Sequence, residues 1–223
     1  MKPIAHIHTD FPAKFGIPRQ SGLVSSLSGV IVFTPEFRNP EALRGLEAYS
    51  HLWLIWQFSQ AVCSGFSPTV RPPRLGGNRR MGVFATRSPY RPNPIGLSSV
   101  ALEKIELQSP NGPLVYVLGA DLMDNTPIYD IKPYLPFTDS HPDARAGFAE
   151  KTQAYALSVV FPEELLLKVP EAKRCALTEI LRQDPRPSYQ TDPHRIYGFC
   201  FAGLEIKFTV CGDVFTVQGV FPA

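Results

Sequence analysis

The stretch GVFATRSPYRPNPIGLSSV, residues 82–100, places two arginines where the backbone is stiff. Its three prolines each fix their own φ angle and bias the residue before them away from helix. Arg87 and Arg91 are therefore presented by a rigid loop, and rigid presentation favours binding of a particular anion because less entropy is lost. A proline-bounded connection with two solvated arginines stays open as the alternative.

A second candidate site is the turn DNTP, residues 124–127, which follows a strand-like stretch. Asp and Asn both favour turns, and Asn tolerates the left-handed region. Beyond the turn, Asp130, Lys132 and Tyr134 alternate on one side of YDIKPY if that segment is extended. A carboxylate on one rigid turn near an arginine on another could hold a zwitterionic ligand. A plain hairpin turn with its own hydrogen bond is the alternative.

Basic residues dominate the first half of the chain. Residues 1–102 contain eleven Lys and Arg against four Asp and Glu, whereas residues 103–223 contain eleven against sixteen. No acidic residue occurs from Ala48 to Leu102, and all six basic residues there are arginines, whose planar guanidinium suits forked contacts to phosphate. We therefore expect a surface that faces a polyanion.

Composition and motifs exclude several protein classes. The 223 residues are 44% hydrophobic and 19% charged, as in soluble globular proteins. The four cysteines have no CxxC pair and are predicted to be reduced thiols, and no metal site is predicted. There is no GxGxxG, P-loop, GxSxG or HExxH motif. Neither a signal peptide nor a membrane span is visible, so we expect a soluble cytoplasmic protein.

The elements that must position these residues are mainly β. In the first two-thirds, the predicted strands are IAHIH, GVIVFT, HLWLIWQF, GVFAT, IGLSSVALEKIEL and LVYVLGADLM. One helix, NPEALRGLEAY, is predicted with Asn39 as its cap. An antiparallel barrel or sandwich follows from many strands joined by short turns. The strand YALSVVF, a helical stretch and three more strands predict a small α+β C-terminal domain, so the chain divides into residues 1–140 and 141–223.

Two of these motifs, GVFATRSPYRPNPIGLS and DNTPIYDIKPY, resemble the TsaA-like (TrmO) family of tRNA methyltransferases in sequence and order. KFGIPRQSGL and HLWLIWQF match that family's pattern as well, and QDPRPSYQTDPHRIYGFCF is similar to the C-terminal domain of its bacterial members. The resemblance implies a seven-stranded antiparallel β-barrel that binds S-adenosylmethionine without a Rossmann sheet. It also implies a homodimer that methylates N6 of threonylcarbamoyladenosine beside the anticodon of threonine tRNA.

The resemblance assigns cofactor contacts to matching motif positions. Carried over, they are Pro18, Arg19, Gln20, Phe58, Ser59, Arg87, Leu97, Asp124, Asn125, Thr126 and Pro127. Arg87 would hold the cofactor's carboxylate and Asp124 an amino or hydroxyl group. This chain departs from the family's pattern twice, with Asn125 in place of a glycine and Ser59 in place of a histidine.

Remaining charged residues supply candidates for RNA binding and proton transfer. The arginines expected to contact RNA are Arg71, Arg74, Arg79, Arg80, Arg91, Arg186 and Arg195. Asp124, Asp130 and Lys132 are candidates for proton handling. The competing hypothesis is a non-enzymatic RNA-binding module on a β-barrel, which accounts for the arginines but not for the DNTP turn.

Overall fold

The protein consists of a closed antiparallel barrel followed by a smaller sheet with helices. The computed structural model describes residues 1–62, 65–72, 75, 79–152, 156–186 and 192–223. In chain order the strands are β1 (Ala5–Thr9), β2 (Ser28–Phe33), β3 (His51–Gln57), β4 (Thr69–Val70), β5 (Met81–Gly82), β6 (Ile95–Glu106), β7 (Leu114–Leu118), β8 (Thr126–Pro133), β9 (Ser158–Val160), β10 (Tyr197–Phe201), β11 (Leu204–Cys211) and β12 (Val214–Pro222). The α-helices are α1 (Pro136–Asp139), α2 (Glu163–Leu166) and α3 (Glu171–Arg182).

The barrel strands follow the order β1-β2-β7-β6-β3-β8 and return to β1. Successive side chains of a strand point to opposite faces. Along β3, Leu52, Leu54 and Trp56 are therefore buried in the barrel, while Trp53 and Ile55 lie on its outer side and are only partly buried. This alternation confirms the predicted mainly β fold, with a barrel first and a small α+β region after it.

Within the described residues, six strands close the barrel, which corrects the seven that the resemblance implied. GVFAT, predicted as a strand, is not a barrel strand: Gly82 ends β5, and a 3-10 helix, Val83–Ala85, follows it. The backbone turns there because the Val83 amide donates to the Pro68 carbonyl (2.9 Å) and the Thr86 amide to the Val83 carbonyl (3.1 Å).

The predicted helix NPEALRGLEAY is also corrected, because it forms two short 3-10 helices, Pro40–Leu43 and Leu46–Ala48. Gly45 interrupts the helix with a φ of 88°. The predicted cap is confirmed, since the Asn39 side chain accepts a hydrogen bond from the Glu41 amide (3.0 Å).

The C-terminal sheet has the order β10-β11-β12-β9, with β9 parallel to β12, and α3 packs Leu177, Ile180 and Leu181 into its core. The predicted strands and helical stretch of this region are confirmed. Cys175, Cys200 and Cys211 form no disulfide, and Cys63 lies outside the described residues. Among the described helices, none has the length and apolar character that a membrane span requires.

The C-terminal core also takes in residues from the first part of the chain. Phe11, Val24 and Leu27, which lie between β1 and β2, are 1–3% exposed and belong to the same apolar cluster as α3 and the C-terminal sheet. Phe11 packs against Phe201 with 5.2 Å between ring centroids. The connection between β1 and β2 is therefore anchored in the core of the C-terminal region.

Candidate active site

Motifs that are far apart in the sequence lie at one mouth of the barrel. In an antiparallel sheet, the end of one strand lies beside the start of its neighbour. Ile7 near the end of β1 pairs with Thr126 at the start of β8. The Phe58 amide, just after β3, donates to the Pro94 carbonyl, just before β6 (2.8 Å). The DNTP turn, the end of the aromatic strand and the proline-rich loop are therefore brought to one region, as the resemblance requires.

The DNTP turn has the predicted conformation. Asn125 adopts a φ of 60°, the left-handed region that glycine would occupy in the family's usual motif. One oxygen of Asp124, Oδ1, accepts hydrogen bonds from the Thr9 amide (3.0 Å) and lies 3.1 Å from His8 Nδ1. The carboxylate is thereby held in one orientation at the end of β1, with its side chain 40% exposed.

The PRQ segment, residues 18–20, links the C-terminal region to the proline-rich loop. The Arg19 guanidinium donates to the Arg186 carbonyl (3.2 Å), while Gln20 Oε1 accepts a hydrogen bond from Arg87 NH1. Arg87 and Gln20 therefore meet although 67 residues separate them. This contact joins two of the predicted cofactor motifs.

Asp121 lies near Arg87 and was not predicted from the sequence as part of the candidate site. Its Oδ1 accepts a hydrogen bond from the Ser98 hydroxyl (2.6 Å), whose oxygen accepts one from Trp56 Nε1 (3.0 Å). Burial raises the pKa of Asp121, and the Ser98 hydrogen bond and the charge of Arg87 partly oppose that rise. The only signal in the sequence was a carboxylate inside the otherwise apolar GADLM.

Apolar groups complete the mouth. The Phe58 ring packs 4.2 Å from the Trp56 ring, measured between centroids. Ser59 begins a 3-10 helix, Ser59–Ala61, and Leu97 projects outward from β6 with 56% of its surface exposed. The exposed Leu97 side chain is accessible for an apolar contact.

The three candidates for proton handling are not brought together. Asp124 contacts β1, whereas Asp130 and Lys132 form an exposed ion pair of 3.1 Å with each other. Asp130 pairs across strands with Ile55, which in turn pairs with Leu97. Two strand spacings put Asp130 about 10 Å from Leu97 on the outer face of the barrel.

Two of the arginines predicted to contact RNA have partners within the protein. Arg91 donates to the Thr86 carbonyl (2.7 Å) and the Val83 carbonyl (3.3 Å), so it braces the loop that carries Arg87. Arg186 forms a buried ion pair with Asp184 (2.8 Å), with side chains 11% and 9% exposed. These partners lie two to eight residues away in the sequence, and the local conformation of the chain brings them into contact.

The other arginines of that set are more accessible. Arg71, Arg79 and Arg80 are exposed, and exposed Arg195 lies 5.4 Å from the centroid of the Tyr197 ring. Arg74 lies outside the described residues. No three His, Cys, Asp or Glu side chains converge as metal ligands in the described part of the chain.

Comparison with known proteins agrees with this geometry. The family model described as tRNA-methyltransferase O N-terminal domain matches residues 6–140, and the TrmO C-terminal domain model matches residues 154–223. The chain belongs to the TrmO family.

Relatives in the TrmO family match this chain over nearly its whole length. It is 47% identical to the tRNA (adenine(37)-N6)-methyltransferase of Escherichia coli, over 98% of this chain and 96% of that protein. A Pseudomonas aeruginosa protein, RcsF, provisionally described as an S-adenosylmethionine-dependent methyltransferase, is 41% identical over 93% of this chain and 91% of its own. A crystal structure of TrmO from P. aeruginosa is similar with a TM-score of 0.80 and 35% identity, covering 99% of this chain and 95% of that one.

Proposed function

We propose that this protein is an S-adenosylmethionine-dependent methyltransferase that modifies N6 of adenine 37 in tRNA. The observation that carries the proposal is the Arg87–Gln20 hydrogen bond, which joins two of the family's motifs at the barrel mouth that also holds the Asp124 turn. Within that activity, we propose threonylcarbamoyladenosine of threonine tRNA as the substrate, as the family resemblance implies.

The residues at the mouth suit S-adenosylmethionine by their chemistry. The Arg87 guanidinium would bind the cofactor's carboxylate, and the fixed Asp124 carboxylate would accept from its amino or hydroxyl groups. Phe58 and Leu97 supply the apolar contacts. The remaining proposed contacts are Pro18, Arg19, Gln20, Ser59, Asn125, Thr126 and Pro127.

When bound, S-adenosylmethionine would supply an electrophilic methyl group for transfer to N6. The protein contributes alignment and exclusion of water. Arg87 and Asp124 would hold the cofactor in position, and the partly buried Asp121 carboxylate lies close enough to Arg87 to feel its charge. A strong base is unnecessary because the ureido-like N6–H is more acidic than an adenine amine. Asp124, Asp130 and Lys132 remain the groups to test for proton handling.

We further propose a cytoplasmic homodimer with closed two-fold symmetry. The outer barrel face supports the dimer, because Leu97 and neighbouring Ile55 leave apolar surface there. Cytoplasmic location follows from the tRNA substrate. The domain division at residue 140 is likewise proposed, since the barrel strands precede it and β9–β12 follow it. Light scattering at micromolar protein should give twice the mass of one chain, and a monomer mass with cofactor present would contradict the dimer.

Calorimetry with S-adenosylmethionine tests the proposed function directly. The wild type should bind it and methylate threonine tRNA, with the product identified by mass spectrometry of nucleosides. Arg87→Ala should weaken cofactor binding by about 1.5–3 kcal/mol, or about ten- to a hundred-fold, because a charged hydrogen bond is lost.

Arg44→Ala is the matched control, since Arg44 is exposed, pairs with Glu41 and should leave cofactor affinity unchanged. No heat with S-adenosylmethionine alone would favour the competing hypothesis of a non-enzymatic RNA-binding module.

A further inference from the structure

The two-stranded ribbon β4–β5 carries an exposed aromatic pair at its base. Phe66 precedes β4 and Phe84 follows β5, and their rings stack with 6.0 Å between centroids and 24° between planes. Phe66 is 51% exposed and Phe84 is 72% exposed. The Arg91 guanidinium lies 5.8 Å from the centroid of the Phe84 ring. Two stacked rings with a cation beside them form a flat surface that is open to ligands.

Arginines mark the other end of the same ribbon. Thr69 pairs with Gly82 and Val70 with Met81, so Arg71 and Arg80 are the next opposed positions. Both are exposed, and neither forms a hydrogen bond or ion pair with any of the residues that the structure describes. Because no acidic residue occurs from Ala48 to Leu102, their charge is not neutralised from within this part of the sequence.

The base of the ribbon is held in place by hydrogen bonds to backbone carbonyls. The Val83 amide donates to the Pro68 carbonyl (2.9 Å), and Arg91 donates to the Thr86 carbonyl (2.7 Å). These bonds lie on both sides of Phe84 in the sequence and fix the backbone that carries its ring. A preorganised aromatic surface loses less entropy when a ligand stacks on it.

Unpaired nucleotides fit this surface better than paired ones. A base in a loop can expose its face and stack on an aromatic ring, whereas a base inside a helix is covered by its neighbours. Arg71 is three positions after Pro68 at the ribbon base, which is about 10 Å of extended chain. The aromatic rings and the arginines are therefore spaced to contact bases and phosphates of the same nucleic-acid strand.

We propose that the aromatic–arginine ribbon, comprising Phe66, Arg71, Arg80 and Phe84, binds unpaired nucleotides of the tRNA loop that contains adenine 37. This inference rests on the proposed function, since it assigns a surface to the substrate of that reaction. Bases stack on Phe84, and the two arginines contact the phosphates that follow.

The test compares two RNAs: an anticodon stem-loop and a fully paired duplex with the same stem sequence. Phe84→Ala should weaken binding of the stem-loop by about five- to a hundred-fold, the range for losing one stacked base. Phe84→Tyr should restore most of that affinity because it keeps the ring. Binding of the duplex, and of S-adenosylmethionine, should change by less than about two-fold in either variant.

Matched controls separate stacking from general surface effects. Phe137→Ala removes a phenylalanine that is 87% exposed on α1 and should leave stem-loop affinity unchanged. Replacing both Arg71 and Arg80 by Gln in one variant should lower the slope of log affinity against log salt concentration by about one to two. Arg145→Gln should lower that slope less.

The inference is overturned if Phe84→Ala leaves stem-loop binding intact or weakens duplex binding equally. It is also overturned if light scattering shows that Phe84→Ala dissociates a dimer, because the ribbon would then bind a second copy of the chain. These results are distinct from failure of the proposed function, which would appear as a wild-type protein that neither binds S-adenosylmethionine nor methylates tRNA.

Discussion

Two long connections reach the barrel mouth, and they differ in what holds them. The β1–β2 connection, residues 10–27, buries Phe11, Val24 and Leu27 in the C-terminal core. Lys173 of α3 donates to Asp10 (2.6 Å) across the same contact. A cofactor motif, PRQ, therefore lies on a segment anchored by tertiary burial.

The described part of the β3–β6 connection (residues 58–62, 65–72, 75 and 79–94) is held mainly by local contacts. Its ribbon pairs two residues from each strand, and Arg91 bonds to carbonyls five and eight residues earlier. Phe66, Phe84 and Tyr90 remain 51–72% exposed. The first connection therefore depends on the C-terminal core, whereas the second, which carries Arg87, leaves apolar and basic groups exposed.

The largest effect is expected from Gly16→Ala, which breaks the anchored connection. Gly16 has a φ of 99°, and a Cβ there would overlap the Phe199 ring of the C-terminal core. We expect the free energy of unfolding to fall by about 3–5 kcal/mol, from backbone strain and overpacking together, in chemical denaturation.

Gly82→Ala provides the control in the other connection. Gly82 has a φ of −57°, and a Cβ there meets nothing within 4 Å. Its unfolding free energy should change by less than about 0.5 kcal/mol. Equal losses in the two variants would contradict the difference in anchoring.

A second prediction concerns the Asp184–Arg186 ion pair next to Arg19. Asp184→Asn removes one charge of the Asp184–Arg186 ion pair and keeps a residue that tolerates the φ of 49° at that position. We expect stability to fall by about 2–3 kcal/mol and cofactor affinity to fall with it, because the Arg186 carbonyl would no longer be held against Arg19.

Asp192→Asn is matched to it, because Asp192 also accepts from the amide two residues later (2.9 Å) but is exposed. Calorimetry and denaturation should show little change there. If Asp184→Asn loses stability but keeps full cofactor affinity, the C-terminal region does not position Arg19.

Arg91→Ala should have a moderate effect on cofactor affinity, which tests the local contacts of the β3–β6 connection. Removing its hydrogen bonds frees the Thr86 carbonyl, directly before Arg87. Cofactor affinity should fall about three- to ten-fold, the cost of a neutral-acceptor bond made by a charged donor. Arg80→Ala, which removes an exposed arginine of the same connection, should leave calorimetric affinity unchanged. A larger loss of cofactor affinity in Arg80→Ala than in Arg91→Ala would indicate that the cofactor binds nearer the ribbon.

The smallest effect is expected from Asp121→Asn and concerns how the free energy of unfolding depends on pH. Because burial raises the pKa of Asp121, the folded protein holds this proton at a pH where the unfolded chain has released it. Stability of the wild type therefore falls as pH rises from the normal aspartate pKa through the raised one. Because Asn does not titrate, the variant should lack this fall. The stability of Asp121→Asn relative to the wild type should therefore increase as the pH rises over that interval. Parallel stability curves would contradict the raised pKa.

The sequence by itself determined the local features of this protein. Alternating apolar residues predicted most strands, and the turn chemistry predicted both the cap at Asn39 and the left-handed Asn125. These features depend on a residue and its near neighbours, which are visible in the chain. The Arg87 and Asp124 motifs could be located for the same reason, and the structure places both at the barrel mouth.

Only the tertiary structure decided which side chains face ligands and which face the protein. Arg91 and Arg186 resemble Arg71 in the sequence, yet in the folded structure they are held by carbonyls and a carboxylate that lie within eight residues of them. Asp121 acquires its raised pKa from burial, and Phe11 joins the core of a region almost two hundred residues away. Periodicity shows that a side chain will be buried, but the partner that buries it depends on long-range packing, which one sequence does not contain.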